Sequence, residues 1–228
     1  MSPLRQILEF LDRLRLNNNR EWFNDHKQEY LAHQATFNGI VERLIAELQR
    51  LDPSLGTLSV RDCIYRINRD TRFSPDKTPY KTHISAYICP HGRKSGYAGY
   101  YLHIEPVGDG LIGRSILASG AHCPEPKPLQ SMREEILDNG AEFVRCLNQA
   151  EGWTLDCERA LKRTPKGFPS DSPWAEYFKQ KDYILERDLG SEVLDADDPV
   201  AVLTELFAPT VDMNRLLNRA IEYAYTEM

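Results

Sequence analysis

Residues 81–105 read Lys-Thr-His-Ile-Ser-Ala-Tyr-Ile-Cys-Pro-His-Gly-Arg-Lys-Ser-Gly-Tyr-Ala-Gly-Tyr-Tyr-Leu-His-Ile-Glu. Apolar residues recur at every second position on both sides of a Pro/Gly-rich centre, the period of a strand with one buried face. Thr82, Ile84, Ala86 and Ile88 form the inner set of one strand, and Lys81, His83, Ser85 and Tyr87 point the other way. Ala98, Tyr100, Leu102 and Ile104 repeat the inner set in the next strand, alternating with Tyr97, Gly99, Tyr101, His103 and Glu105. A hairpin loop at 90–96 would set His83 opposite His103 and Lys81 opposite Glu105. A slip of two residues changes the pairs but not the face, because side chains alternate with a period of two.

Outward from this hairpin, the same period predicts strands near 63–68 and 111–119, and a return strand at Tyr183 to Leu185. Helical spacing takes over on both flanks. Ser2 and Pro3 open a helix carrying Leu4, Ile7, Leu8, Leu11 and Leu14, ended by Asn17-Asn18-Asn19. A longer helix from Arg20 carries Phe23, Tyr30, Phe37, Val41, Leu44, Ile45 and Leu48 up to Pro53, with Gly39 as a point of interruption. Trp22, His26, Glu29 and His33 form a neighbouring stripe, read as a half-buried flank. After a proline-rich loop at 123–128, helices are expected at 129–138 and 140–150, another from Ser172-Pro173-Trp174, and two across 198–225 capped by Asp197 or Asp198. The sum is an α+β fold. One domain spans 1–228: a helical pair at 1–52, a sheet core at 60–120 of an antiparallel sheet with four or five strands, and a mostly helical part at 121–228, with no internal repeat.

The 228 residues are 41% hydrophobic and 27% charged, which excludes disordered and fibrous classes. A formal net charge of −6 gives no global footprint for nucleic acid or an anionic membrane. Five widely spaced cysteines without a C-x-x-C pair fit a reducing compartment. The absence of a leader or an apolar run of about 18 residues predicts a cytoplasmic protein with no membrane partner.

Residues 61–94 depart from the average. Arg61, Arg66, Arg69, Arg72, Lys77, Lys81, Arg93 and Lys94 face only Asp62, Asp70 and Asp76, so the segment is +5 and the rest −11. Pro75 and Pro79 stiffen the run 66–81, which lowers the ordering cost of holding an anion. Arg66, Arg69, Arg72, Lys77, Lys81 and Tyr101, joined by Lys166 from a second basic turn at 162–168, are the candidate binding set for a small phosphorylated or carboxylate ligand. The alternative is that Asp70 and Asp76 neutralise these cations in a structural ion-pair network. Neither the G-x-x-x-x-G-K-[ST] nor the G-x-G-x-x-G pattern is expected, so phosphate would be held by side chains and not by a glycine loop at a helix start.

His83 and His103 are the candidate general acid and base, with Arg69 or Arg72 stabilising developing charge. With Glu105 they would make a two-histidine, one-carboxylate set, but histidines on adjacent strands are more often plain surface residues, and no metal is assigned. Cys63 and Cys89 lie in no nucleophile signature. The competing reading is a non-enzymatic module in which Arg66, Arg69, Arg72, Tyr80 and Tyr101 hold a protein or single-stranded nucleic acid. No cofactor, reaction or oligomeric state is legible.

Residues 66–81, with Asn18-Asn19-Arg20-Glu21-Trp22-Phe23 upstream and Pro165-Lys166-Gly167-Phe168 downstream, resemble the family catalogued as domain of unknown function 2461. The resemblance runs from about Leu8 to the strand after Tyr183, with three motifs in the family's order. It departs after the third strand, where Gly108-Asp109-Gly110-Leu111-Ile112-Gly113 stands in place of a glycine-rich stretch with a Trp. The resemblance implies an α+β domain and supplies no substrate.

Overall fold

A computed structural model describes residues 1–227. Its centre is a five-stranded antiparallel sheet of β1 (Ile84–Ile88), β2 (Gly99–Ile104), β3 (Ile116–Ala121), β4 (Thr154–Leu155) and β5 (Tyr183–Asp188), in the order β1-β2-β3-β5-β4. Directly paired residues point to the same side. One face therefore collects Ile84 with Ile104, Ala86 with Leu102 and Leu117, and Tyr100 with Ser119 and Leu185.

All the long helices pack on that face. α1 (Pro3–Leu16), α3 (Lys27–Leu51) and α8 (Pro199–Phe207) enclose the β1–β2 end through Leu11, Leu44, Leu48, Leu203 and Phe207. α5 (Pro126–Gln149) and α9 (Val211–Thr226) enclose the β3–β5 end through Ile136, Phe143, Leu217 and Ile221. Burying such side chains contributes about 1.5–3 kcal/mol each and leaves the opposite sheet face open for function. Shorter helices complete the chain: α2 (Arg20–Asp25), α4 (Val60–Cys63), α6 (Ala175–Phe178) and α7 (Ser191–Leu194). No helix among the described residues is long and apolar enough to cross a membrane.

The expected N-terminal signals act as written. Ser2 accepts the Arg5 N–H at 3.2 Å with Pro3 in the first turn, and Asp198 caps α8 by accepting the Val200 N–H at 3.2 Å. The predicted helix from Arg20 is instead two, because Asn19 caps α2 and the chain leaves helical geometry at His26, whose ring nitrogen lies 2.8 Å from the Trp22 carbonyl oxygen. Gly39 interrupts nothing, since α3 runs through it. The Trp22, His26, Glu29 and His33 stripe is half-buried, with Trp22 and His26 stacked at 4.0 Å. The two helices expected at 129–138 and 140–150 are present, meeting at Asn139, whose φ −123° and ψ 31° are not helical; they are labelled together as α5.

Two strand assignments are corrected. Residues 63–68 form no strand: Ser59 and Asp62 close a capping box that winds Val60–Cys63 into α4, and only bridges Ile64 to Ala86 and Asn68 to Tyr80 follow. β3 begins at Ile116 and not at 111, because the N–H groups of Leu111, Ile112 and Gly113 bond a side chain. The hairpin register is two residues from the one expected, with Ser85 opposite His103 and Tyr87 opposite Tyr101. Its connection takes all of 89–98, turning through positive φ at His91, Gly92 and Gly96. The return strand expected at Tyr183 to Leu185 is present as β5, which enters the sheet between β3 and β4 and carries it beyond 60–120.

Candidate functional site

The open face is built from the outward-pointing residues of the hairpin. Ser85, His103 and Ile116 form one row across it, and Tyr87, Tyr101, Ala118 and Glu186 form the next. Two clefts adjoin there, about 770 Å³ and 580 Å³, sharing Tyr65, Tyr101 and Leu111 along their boundary. Lys81, His83, Ser85 and Thr82 line the first; Arg93, Tyr87, Tyr97, His122 and Arg159 line the second.

Beneath them lies a buried polar chain. The Glu105 carboxylate accepts the backbone N–H of Leu111 at 2.7 Å on one oxygen, and those of Ile112 at 2.7 Å and Gly113 at 2.8 Å on the other. Thr82 donates to it at 3.3 Å, and His103 Nε2 lies 3.1 Å away. Burial alone would raise this carboxyl, but hydrogen bonds from His103, His83, Ile112 and Leu111 outweigh it and hold Glu105 well below the usual carboxylate range. The expectation that no G-x-G-x-x-G pattern is present is corrected by the run 108–113, Gly-Asp-Gly-Leu-Ile-Gly, which has that spacing. Its N–H groups cradle an anion as glycine loops do, yet the anion is the protein's own carboxylate, and a strand follows instead of a helix.

An ionised carboxylate can only accept, so the His103 proton sits on Nε2, leaving Nδ1 to accept from the Tyr101 hydroxyl at 2.9 Å. Burial lowers the His103 pKa, partly offset by the bond to Glu105. Burial likewise pushes the Tyr101 phenol up to about 12. His83 and His103 meet as expected, with ring centroids 4.6 Å apart. Lys81 does not meet Glu105; the two-residue shift gives that place to His83, whose Nδ1 is 3.6 Å from the carboxylate.

Ligand atoms of His83, His103 and Glu105 all lie within 4.8 Å of one another. Each Glu105 oxygen already accepts at least two hydrogen bonds and His103 Nε2 is engaged with one of them, so a cation here would have to displace those donors.

The basic residues separate into two groups. Arg69 bonds Asp76 and Thr78, Arg72 is bidentate to Asp70 at 2.9 and 2.7 Å, and the Lys77 amine donates to the Thr71 carbonyl at 3.0 Å, so these cations knit their own loop. Lys166 lines neither cleft. Arg72 and Lys77 likewise line neither, whereas Arg69 lines the first cleft beside Lys81 with its charge committed to Asp76, so the full convergence expected of Arg69, Arg72, Lys77 and Lys166 on one recess is not seen. Because Arg72 is exposed, Arg72→Ala is expected to leave the thermal midpoint and anion-induced stabilisation unchanged, which a melting curve with and without phosphate checks.

Arg66, Lys81 and Arg93 are different. None has a carboxylate within ion-pair distance among the described residues, although Arg66 lowers the Asp70 pKa and Arg93 that of Asp62 from farther off. The Lys81 amine lies 5.3 Å and the Arg93 guanidinium 5.6 Å from the Tyr65 ring centroid. Burial lowers the Lys81 pKa, and the charges of Arg66 and Arg93 lower it further. In the sequence Arg93 contributes only to net charge and Tyr65 only to an expected strand, so neither is marked as part of a site. Arg159, His122 and Asp182 carry no local sequence signal, because only the folded chain brings β5 beside the end of β3.

No curated protein and no solved structure matches the chain. A family model does: residues 6–215 match the family described as a conserved hypothetical protein (DUF2461), and the chain belongs to that family.

Proposed function

We propose that the open sheet face binds a small phosphorylated or carboxylate ligand between Lys81 and Arg93, beside Tyr101 and His83, with the charge of Arg66 reinforcing Lys81 from outside the cleft lining. The observation carrying this reading is Lys81, a half-buried ammonium disfavoured by burial and by the charges of Arg66 and Arg93, with no carboxylate within ion-pair distance among the described residues; Asp70 and Asp62 act on Arg66 and Arg93 from farther off. Like charges held together lower stability unless an anion answers them. Acid–base chemistry is the natural extension. A ligand hydroxyl gives its proton to the Tyr101 oxygen while the phenol passes its own to His103 Nδ1, and Glu105 stabilises the resulting imidazolium. His103 is fully buried and acts through Tyr101, so Tyr101 and His83 are the groups that touch the ligand.

Titrating the full chain with phosphate, pyrophosphate and citrate, followed by melting temperature and calorimetry, tests this. At least one anion is expected to raise the midpoint saturably, and Lys81→Met to weaken its binding by roughly 10–100-fold, the worth of one charge-assisted contact. No stabilisation by any of them, equal stabilisation of the variant, or tighter salt-sensitive binding of a single-stranded oligonucleotide would each overturn it.

A further inference from the structure

At the far end of the second cleft, β3 runs into His122 and Cys123, and β5 begins beside Asp182. Cys123 is exposed and has φ +48°, a left-handed conformation that costs a non-glycine residue about 1–2 kcal/mol. Its backbone N–H donates to the Asp182 carboxylate, which holds the residue in that geometry. The sulfur lies 3.4 Å from His122 Nε2, and His122 Nδ1 lies 3.7 Å from Asp182. The Arg159 guanidinium is 2.9 Å from the sulfur and 2.9 Å from the Asp182 carboxylate. His122, Arg159 and Asp182 all line the cleft.

From this geometry we infer that Cys123 is a nucleophile, with His122 taking its proton, Asp182 orienting the imidazole, and Arg159 balancing negative charge on the sulfur. A thiol facing an imidazole and a guanidinium at an open rim is the setting in which cysteine reactivity arises. The same atoms, His122, Cys123 and Asp182, lie close enough to suggest a metal trio. Arg159 argues against that, since its guanidinium bridges two of the three would-be ligands. The substrate class is a soft carbon electrophile entering the cleft: the sulfur forms a bond to carbon, the leaving group departs with its electron pair, and the thiol proton stays on His122. This goes beyond the anion-binding reading and stands whether or not that reading does.

Iodoacetamide is the probe. The S–C bond forms, the C–I bond breaks, iodide leaves, and peptide mass spectrometry reads each site's rate on the full chain at pH 7. Cys157 is the internal standard, because it is also exposed but, among the described residues, its sulfur bonds only the Leu155 carbonyl and the Gln180 amide. Cys123 is expected to react roughly 10-fold faster than Cys157, and His122→Gln and Arg159→Gln each to reduce that ratio about 3- to 10-fold while Cys157 keeps its rate. Equal rates at the two cysteines, or a ratio that neither variant moves, would overturn the inference. Both altered side chains are largely exposed, so the variants fold. The labelling needs no bound anion, so its failure and failure of the anion site are read separately.

Discussion

Glu105→Ala is expected to lower stability by about 3–5 kcal/mol, the cost of breaking a buried, hydrogen-bonded charge and stranding its partners. For a chain of this size that is a fall of roughly 10–15 °C in melting temperature. The residue is 2% exposed, and its two oxygens fix three consecutive N–H groups of the loop 111–113, which otherwise have no strand to pair with. Losing the carboxylate also frees the His103 Nε2 proton. Glu105→Gln keeps one accepting oxygen but turns an NH2 towards backbone donors, so it falls between the two, at about 2 kcal/mol. A melting curve of Glu105→Ala that coincides with the parent's would show that the loop is held by something else.

The same carboxylate sets the acid limb of stability. Its folded pKa lies below the unfolded value of about 4.3, so its contribution is complete above that pH and is lost as pH falls. His103 acts in the same direction from a higher starting point. Burial lowers its folded pKa, so below about 6.5 the unfolded chain binds the proton more readily and stability declines. Melting temperature is therefore expected to fall in two stages between pH 7 and pH 3, and the lower stage should flatten in Glu105→Gln. A single stage unaffected by that variant would remove Glu105 from the account.

Legibility from sequence followed the range of the interactions. The β1–β2 face was readable because alternation is a property of adjacent residues, and it placed His83, Ser85, Tyr101 and His103 on one side even though the register was two residues off. Helix starts at Ser2 and Asp198 were readable for the same reason. What failed depended on partners distant in the chain or on a local signal that competed with the pattern. The 63–68 segment alternates, but the capping box of Ser59 and Asp62 removes its first residue into a helix. Arg69 and Arg72 looked free to bind a ligand, yet Asp76 and Asp70, within the same loop, reach them first. The cluster around Cys123 joins residues from 122 to 182, and no spacing rule connects them.

Gly120→Ala should be as severe as the loss of Glu105, for a reason confined to the backbone. Gly120 pairs with Gly99 on β2 and Ile184 on β5 and has φ +130°. A Cβ there would overlap the Tyr183 carbonyl oxygen outright, lie 2.9 Å from its carbon and 3.2 Å from the Ile184 Cα. These are backbone atoms of a central strand, and they cannot swing aside as a side chain could. The Gly120 carbonyl also accepts from the Tyr87 hydroxyl at 2.8 Å, so the displacement reaches the floor of the second cleft and the turn carrying His122 and Cys123. Gly167→Ala separates strain from collision, because Gly167 has φ +96° with nothing within 4 Å of an added Cβ. It is expected to cost only about 1–2 kcal/mol, whereas Gly120→Ala costs more than about 4 kcal/mol or yields no folded protein. Chemical denaturation of the two variants decides the matter, and comparable losses would mean that β3 and β5 approach less closely at Gly120 than this sheet requires.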